Sequence, residues 1–160
     1  MNTIKLKGIK EVQNDYKEMG LLLAFPTCSF KCENEGYCPI GTCQNSHLTK
    51  EETYEYKNDN IIKFYKNNPL LKCLVMGGLE PIDSFEELIQ LISDFRKISN
   101  DTVVIYTGYT ESELKDKIDI LKQFRNIVIK VGRFVAGEKS HYDAIIGVEL
   151  ASNNQYAIQI

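Results

Sequence analysis

Cysteine is the residue type whose spacing points most clearly to chemistry in this chain. Four of the five cysteines, Cys28, Cys32, Cys38 and Cys43, fall on one short segment, and Cys73 lies alone in an apolar run. Thiolates are soft metal ligands, and cysteines stay unpaired in a reducing compartment. The cluster therefore indicates a metal or redox site rather than a disulfide framework. Cys73 is interpreted as a small buried hydrophobe.

The spacing leaves two kinds of metal site open. Three close cysteines suit a four-iron cluster with one iron free for chemistry, whereas four suit a closed zinc site. Structural zinc favours two short pairs separated by a longer spacer, and here only five residues, between Cys32 and Cys38, would separate the two pairs. Zinc therefore fits less well. His47 is left out of the ligand set, because a lone histidine at a helix entry is more typical of a surface or capping residue.

Composition limits the remaining classes of function. The chain has 160 residues with a formal net charge of −3, 43% of them hydrophobic and 26% charged, which predicts one soluble domain over residues 1–160. A slightly acidic chain lacks the basic footprint of a nucleic-acid binder. Its longest apolar run is far shorter than the roughly 20 residues that span a bilayer, and the N-terminus has no secretory segment. We expect a cytoplasmic protein with no membrane or nucleic-acid partner.

Alternating apolar runs and amphipathic stretches predict the elements that must position the cysteines. Short strands are expected over residues 20–25, 71–76, 102–106 and 126–131, and an edge strand after a loop in 142–160. Helices are expected over residues 50–66, 84–98 and 110–124. The last two begin with the capping boxes Ser84-x-x-Glu87 and Thr110-x-x-Glu113.

This order predicts an α/β fold with a mostly parallel sheet and flanking helices. A complete eight-unit barrel takes about 250 residues, so only a partial (βα) barrel or an open sheet fits the length. In both, ligands gather at the carboxyl ends of the strands. The cysteine cluster follows the first predicted strand, residues 77–81 (Gly-Gly-Leu-Glu-Pro) end the second, and residues 107–109 (Thr-Gly-Tyr) end the third. These three segments should meet at one edge.

Two of these segments resemble a known enzyme superfamily. Cys28-Ser-Phe-Lys-Cys32 resembles the opening of the C-x3-C-x2-C motif of radical S-adenosylmethionine (SAM) enzymes, and residues 77–81 resemble their Gly-Gly-Glu-Pro motif with Leu79 inserted. More narrowly, residues 106–110, 132–134 and 151–155 are similar to the Tyr-Thr-Gly-Tyr, Asp-Gly-x-Phe and Gly-Ser-x-Asn-Gln segments of anaerobic ribonucleoside-triphosphate reductase activating proteins. The resemblance implies a short partial (βα) barrel of the radical SAM type.

The resemblance also implies a ligand set. The superfamily has two residues between its second and third cysteines, whereas ten separate Cys32 from Cys43 here. Either Cys38 or Cys43 could follow Cys32, and Cys43-Gln44-Asn45 matches the Cys-x-Asn of the activating proteins. The implied ligands of a [4Fe-4S] cluster are therefore Cys28, Cys32 and Cys43, with Cys38 as a spare thiol in an enlarged loop.

The superfamily binds SAM beside its cluster, and the matching positions give the implied SAM contacts. Gly77 and Gly78 would let the backbone approach the methionine part, Glu80 would accept a hydrogen bond from its ammonium group, and Thr107 would contact the ribose or carboxylate. Thr42 stands where an aromatic residue commonly packs near the adenine, a contact that Tyr37 could supply instead. The implied cofactor-binding residues are Thr42, Gln44, Gly77, Gly78, Glu80 and Thr107.

The resemblance finally implies a reaction and its partners. An electron from a donor such as flavodoxin or ferredoxin would cleave SAM reductively, and the 5′-deoxyadenosyl radical would take a hydrogen atom from a glycine of an anaerobic ribonucleotide reductase. No protein acid or base is implied, because the cofactor carries the chemistry. Tyr109, Arg133 and Phe134 are candidates for the surface that docks the reductase.

Two other functions compete with this one. The first is a radical SAM enzyme acting on a small molecule, similar to the ring-contracting deazaguanine synthases. The second is a noncatalytic interaction module with zinc bound by four cysteines.

Overall fold

The computed structural model describes residues 2–43 and 45–160. Within them the strands are β1 (Thr3–Leu6), β2 (Gly8–Val12), β3 (Gly20–Phe25), β4 (Tyr54–Lys57), β5 (Cys73–Gly78), β6 (Thr102–Tyr106), β7 (Ile127–Val131), β8 (His141–Asp143), β9 (Val148–Leu150) and β10 (Tyr156–Gln159). The α-helices are α1 (Lys31–Asn34), α2 (Asn58–Asn67), α3 (Phe85–Arg96) and α4 (Lys115–Leu121). Short 3-10 turns cover Ser46–Lys50 and Pro81–Ser84.

The main sheet has six strands in the order β10-β7-β6-β5-β3-β2. Its four central strands run parallel, and β2 and β10 add antiparallel edges. The five strands predicted from the apolar runs are confirmed as β3, β5, β6, β7 and the edge strand β10. Because parallel strands end on the same side, the segments after β3, β5, β6 and β7 share one edge of the sheet.

Both faces of the parallel strands are covered, which explains their near-continuous apolar sequences. Helices α2, α3 and α4 pack on one face, where the apolar stripe of α3 is fully buried with Phe95 at its end. Val75, Val104 and Val128 point to the other face and pack against the segments around Tyr16 and Ile146. The sheet is therefore a rigid platform for the residues at its carboxyl edge.

The predicted helix over residues 50–66 is wrong in its first half. Residues 54–57 form β4, which pairs antiparallel with β1, and α2 begins only at Asn58. Tyr54 and Tyr56 are aromatic, a class of residue that favours strands, and their partners in β1 lie about 50 residues away in the chain. A local pattern could not reveal that pairing.

The two predicted capping boxes have different outcomes. Thr110 and Glu113 exchange the expected bonds: the Glu113 N–H donates to Thr110 Oγ1 at 3.3 Å, and the Thr110 N–H donates to Glu113 Oε2 at 2.8 Å. A turn separates this box from α4, which begins at Lys115. Ser84 makes no capping bond with its side chain, because a 3-10 turn precedes α3 and Glu80 caps that turn.

Among the helices of residues 2–43 and 45–160, none combines the length and the apolar character that a membrane crossing requires.

Candidate metal centre

A cavity of about 930 Å³ lies against the sheet and reaches the carboxyl ends of the parallel strands. Among the predicted site residues, those that line it are Cys28, Cys32, Cys43, Gly77, Gly78, Glu80 and Thr107. Cys38 does not line this cavity; it is a buried thiol, 5% exposed, within the enlarged loop. The structure thus brings the three predicted ligands and the predicted strand-end residues to one space.

The cysteine loop begins directly after β3 and is shaped by one left-handed residue. Phe30 has φ 51° and precedes α1, which carries Cys32. This turn directs the Phe30 N–H to Cys28 Sγ at 3.2 Å. Burial raises the pKa of the Cys28 thiol to about 12, and the nearby Glu80 carboxylate adds to the rise. A bound metal would supply the positive charge that the thiolate form needs here.

Cys32, at the second position of α1, has a comparable environment. Burial raises the pKa of its thiol, and the neighbouring thiols of Cys38 and Cys43 raise it further. A hydrogen bond from the backbone N–H of Phe134 and the charge of Lys130 act in the other direction. Backbone N–H contacts such as that of Phe30 to Cys28 Sγ at 3.2 Å are common around metal-bound thiolates.

All five cysteines are free thiols. In the part of the chain that the structure describes, no three His, Cys, Asp or Glu side chains are arranged to hold a single metal ion.

The two glycines at the end of β5 have different structural roles. Gly78 has φ +78°, and a Cβ there would lie 2.7 Å from Ala24 Cα, which only glycine avoids. At Gly77 a Cβ would meet the flexible tip of Leu22 at 3.2 Å. Gly78 is thus required for the close pairing of β5 with β3, while Gly77 keeps the cavity wall open.

Glu80 is a buried carboxylate at the centre of this edge, 6% exposed. Its Oε1 accepts the Ile82 N–H at 3.0 Å and its Oε2 accepts the Gly108 N–H at 2.9 Å. Burial raises its pKa, while these bonds and one from the Thr107 hydroxyl lower it in part. A Cβ on Gly108 would lie 3.7 Å from both Glu80 Oε2 and Cys32 Sγ, so this carboxylate lies close to a predicted ligand.

Of the other predicted cofactor-binding residues, Thr107 lines the cavity and Thr42 does not. Thr107 is 2% exposed, and its hydroxyl accepts the Tyr109 N–H and bonds to Glu80. Thr42 donates its hydroxyl to the carbonyl of Pro39 at 2.6 Å and does not line the cavity. Tyr37 is half exposed and also lies off the cavity. The prediction for Gln44 falls outside the described residues.

Lys130 is a functional candidate that the sequence analysis missed. It is 7% exposed on β7 and lines the same cavity. Burial lowers the pKa of its ammonium group to about 8, although Glu80 and Cys32 nearby raise it. Its ammonium group donates to the Gly132 carbonyl at 3.5 Å and lies 5.9 Å from the centroid of the Tyr106 ring. The signal in the sequence was this single charged residue within the otherwise apolar strand Ile-Val-Ile-Lys-Val.

The expectation that Arg133 docks a partner is wrong, because its guanidinium is engaged inside the protein. Arg133 is 7% exposed and pairs with Glu113 at 2.7 Å and with Glu35 at 2.9 Å. It also donates to the Gly108 carbonyl at 2.6 Å. These bonds tie the middle of the cysteine loop to the segments that follow β6 and β7. Phe134 is half-buried and lines the cavity.

A comparison with models of known protein families identifies the family of this chain. A model of the family described as 4Fe-4S single cluster domain matches residues 19–156. The chain belongs to that family. Membership supports the predicted iron-sulfur cofactor, and the matched range includes every cysteine. The searches of curated proteins and of solved structures each found no match.

The residues of this structure fit the cluster of the 4Fe-4S single cluster domain family. Cys28, Cys32 and Cys43 can supply soft thiolate ligands around one cavity, and the backbone N–H of Phe30 already donates to the sulfur of Cys28. The buried ammonium of Lys130 offsets part of the negative charge that the thiolates would carry.

Proposed function

We propose that this chain is a radical SAM enzyme in which Cys28, Cys32 and Cys43 hold a [4Fe-4S] cluster. The observation that carries the proposal is the shared cavity, which these cysteines line together with Gly77 and Glu80. A protein that only carried electrons would gain nothing from an open space of this size beside the cluster. Within this proposal, the parallel strands form a short partial (βα) barrel of the radical SAM type.

Two opposite charges in the cavity suit the amino-acid end of SAM. Glu80 and Lys130 are both buried, and the charge of Glu80 raises the pKa of Lys130. A carboxylate can accept from the ammonium group of the ligand, and an ammonium can donate to the carboxylate of the ligand. Because both side chains are buried, these contacts are stronger than they would be at the surface.

When bound, the cluster supplies the electron for reductive cleavage of SAM. The residues of the chain bind and orient the ligand and keep water away from a reactive radical. Gly77 leaves the cavity wall free of a side chain, and Glu80 keeps the ends of β5 and β6 together around the ligand. No side chain needs to act as an acid or base.

For the substrate, we propose a glycine of an anaerobic ribonucleotide reductase, which this enzyme would convert to a glycyl radical. Three segments similar to the activating proteins support this choice, and they lie together: Gly132 donates to the Tyr109 carbonyl at 2.9 Å, and Asn154 donates to the Arg133 carbonyl at 2.8 Å. The other expected partner is an electron donor such as flavodoxin or ferredoxin.

The test begins with protein reconstituted anaerobically with iron and sulfide. We expect four irons per chain and, after addition of dithionite and SAM, formation of methionine and 5′-deoxyadenosine. With an anaerobic reductase from the same organism added, the EPR signal of a glycyl radical should appear. A reductase with its radical glycine replaced by alanine is the matched control and should give none.

Each step of this test has an outcome that contradicts part of the proposal. A full cluster without SAM cleavage would contradict the radical SAM assignment. SAM cleavage without a glycyl radical would contradict the activase assignment and would favour a small-molecule substrate. One zinc per chain and no iron, in protein purified without oxygen, would identify the interaction module instead.

A further inference from the structure

The floor of the cavity changes from small to large side chains across the sheet. The strand register places Gly8 beside Ala24 and Ala24 beside Gly77, on β2, β3 and β5. A Cβ on Gly77 would lie 3.9 Å from Tyr106 Cβ, and Tyr106 on β6 pairs with Lys130 on β7. All five residues line the cavity. The floor is therefore close to backbone level over β2, β3 and β5, and long side chains rise from it over β6 and β7.

The next row of side chains shows which part of this face is open. Lys10 and Leu22, which pair with each other on β2 and β3, line the cavity. Val104 and Val128, on β6 and β7, do not line it, because they are fully buried in the cluster that includes Ile146. The open part of the face thus lies over β2 and β3 and extends to Gly77.

This open part reaches an edge of the main sheet. Strand β2 pairs with β3, and no other strand of residues 2–43 and 45–160 pairs with its second side. Gly8 is half-buried, and a Cβ on it would meet no atom within 4 Å. An edge strand presents backbone N–H and C=O groups with which an extended peptide can pair. A polypeptide segment can therefore enter over β2 and reach Gly77 by crossing only Gly8 and Ala24.

The groups that suit SAM lie in the other part of the cavity. Glu80 and Cys32 are both close to Gly108, which follows β6, and Lys130 lies on β7. The cavity volume of about 930 Å³ is close to the upper limit of about 1,000 Å³ for the site of one small ligand. The part over β2 and β3 is thus left for a second group beside SAM.

We propose that the part of the cavity over Gly8, Ala24 and Leu22 binds an extended, glycine-containing segment of the protein substrate, which enters over β2. The inference rests on the proposed function and assigns the substrate to residues of this chain. A glycine has no side chain, so its backbone can approach a floor that is itself almost free of side chains. The open edge of β2 serves a substrate that continues outside the cavity in both directions, as a protein loop does.

The experiment introduces side chains of increasing size at the entrance, with Gly8→Ala, Gly8→Val and Gly8→Ile. The open space admits the added Cβ, and β-branched residues favour strands. For each reconstituted variant, the amount of glycyl radical formed on the reductase is divided by the amount of 5′-deoxyadenosine released. This ratio should fall as the side chain grows, by about tenfold or more for Gly8→Ile, the effect of overpacking an occupied space. Gln159→Ile, which adds the same side chain to the exposed edge strand β10, is the matched control and should keep the wild-type ratio.

A second measurement needs no variant and decides the question if Gly8→Ile loses its cluster. In the reconstituted wild type, the backbone amides of residues 8–12 should exchange hydrogen more slowly when the reductase is present. A wild-type ratio in Gly8→Ile with an intact cluster, or amide exchange that the reductase leaves unchanged, would overturn this inference and leave the proposed function standing. A wild type that cleaves SAM but forms no glycyl radical would overturn the proposed substrate and this inference with it.

Discussion

The carboxylate of Glu80 lies 2.9 Å from the backbone nitrogen of Gly108, so a side chain at the end of β5 holds the segment that follows β6. Its second oxygen caps the turn before α3 through the Ile82 N–H. One buried anion therefore organises two of the strand ends that form the cavity. This explains why Glu80 is fixed in place before any ligand binds.

Replacing Glu80 by glutamine should destabilise the protein and weaken SAM binding together. The amide of Gln has only one acceptor oxygen, so one of the two backbone donors, Gly108 or Ile82, loses its partner. We expect the free energy of unfolding to fall by about 1–3 kcal/mol, the cost of an unsatisfied buried polar group. Urea unfolding and equilibrium binding of SAM measure the two effects. Glu87→Gln, on the exposed side of α3, is the control and should change neither.

The close approach of β5 to β3 predicts a strong difference between two adjacent glycines. Gly78→Ala must place a Cβ against the Ala24 backbone at a positive φ, so the free energy of unfolding should fall by about 2–4 kcal/mol. Gly77→Ala meets only the tip of Leu22 and should cost clearly less. Gly8→Ala has open space and serves as the control. Chemical denaturation measures all three; equal losses for Gly77 and Gly78 would show that the strand register differs from this structure.

The ion pair between Glu113 and Arg133 predicts a specific pH dependence. Hydrogen bonds from Arg133 lower the pKa of Glu113 from 4.5 to about 2. A carboxyl group with a lowered pKa in the folded state contributes stability above its unfolded pKa and loses it as the pH falls. Glu113→Gln should therefore be less stable than the wild type at neutral pH, and the difference should shrink as the pH falls from 4.5 towards 2.

Urea unfolding of the metal-free proteins at several pH values checks this prediction. Asp119→Asn removes the same charge from an exposed pair with Lys122 on α4 and is the control. Its stability should follow the wild type at every pH, since exposed pairs contribute little. A Glu113→Gln difference that stayed constant with pH would contradict the assigned pair.

The central sheet could be predicted from the sequence because its signals are local. Apolar runs fully buried on both faces need no knowledge of their partners, and the strand-end rule then places three motifs at one edge. Strand β1 could not be predicted in this way because it depends on β4, far along the chain. The helix over residues 50–66 was mistaken for the same reason.

Site residues that belong to contiguous sequence motifs could be predicted. Charged residues that the fold brings together from distant parts of the chain could not. Cys28, Cys32 and Glu80 were found from their neighbours in sequence. The burial of Arg133 could not be predicted, because it depends on partners such as Glu35, nearly 100 residues away, and the buried Lys130 was not recognised as a site residue. Sequence spacing alone could not show which groups would neutralise these two cations.

The choice of Cys43 over Cys38 as third ligand is open to a direct comparison. Cys43 lines the cavity and Cys38 does not. Cys43→Ser should therefore lose most of the cluster iron and the SAM cleavage, whereas Cys38→Ser should keep both near the wild-type level. Iron and sulfide analysis with quantification of 5′-deoxyadenosine provides the measurement. The reverse pattern would assign the third ligand to Cys38.

The EPR spectrum of the reduced, reconstituted protein before and after addition of SAM tests the account most directly. If Cys28, Cys32 and Cys43 leave one iron without a protein ligand, SAM should bind that iron and change the spectrum, in the wild type and in Cys38→Ser alike. A spectrum that stays the same when SAM is added, from a cluster that Cys38→Ser destroys, would show that four cysteines close the cluster and would contradict the proposal.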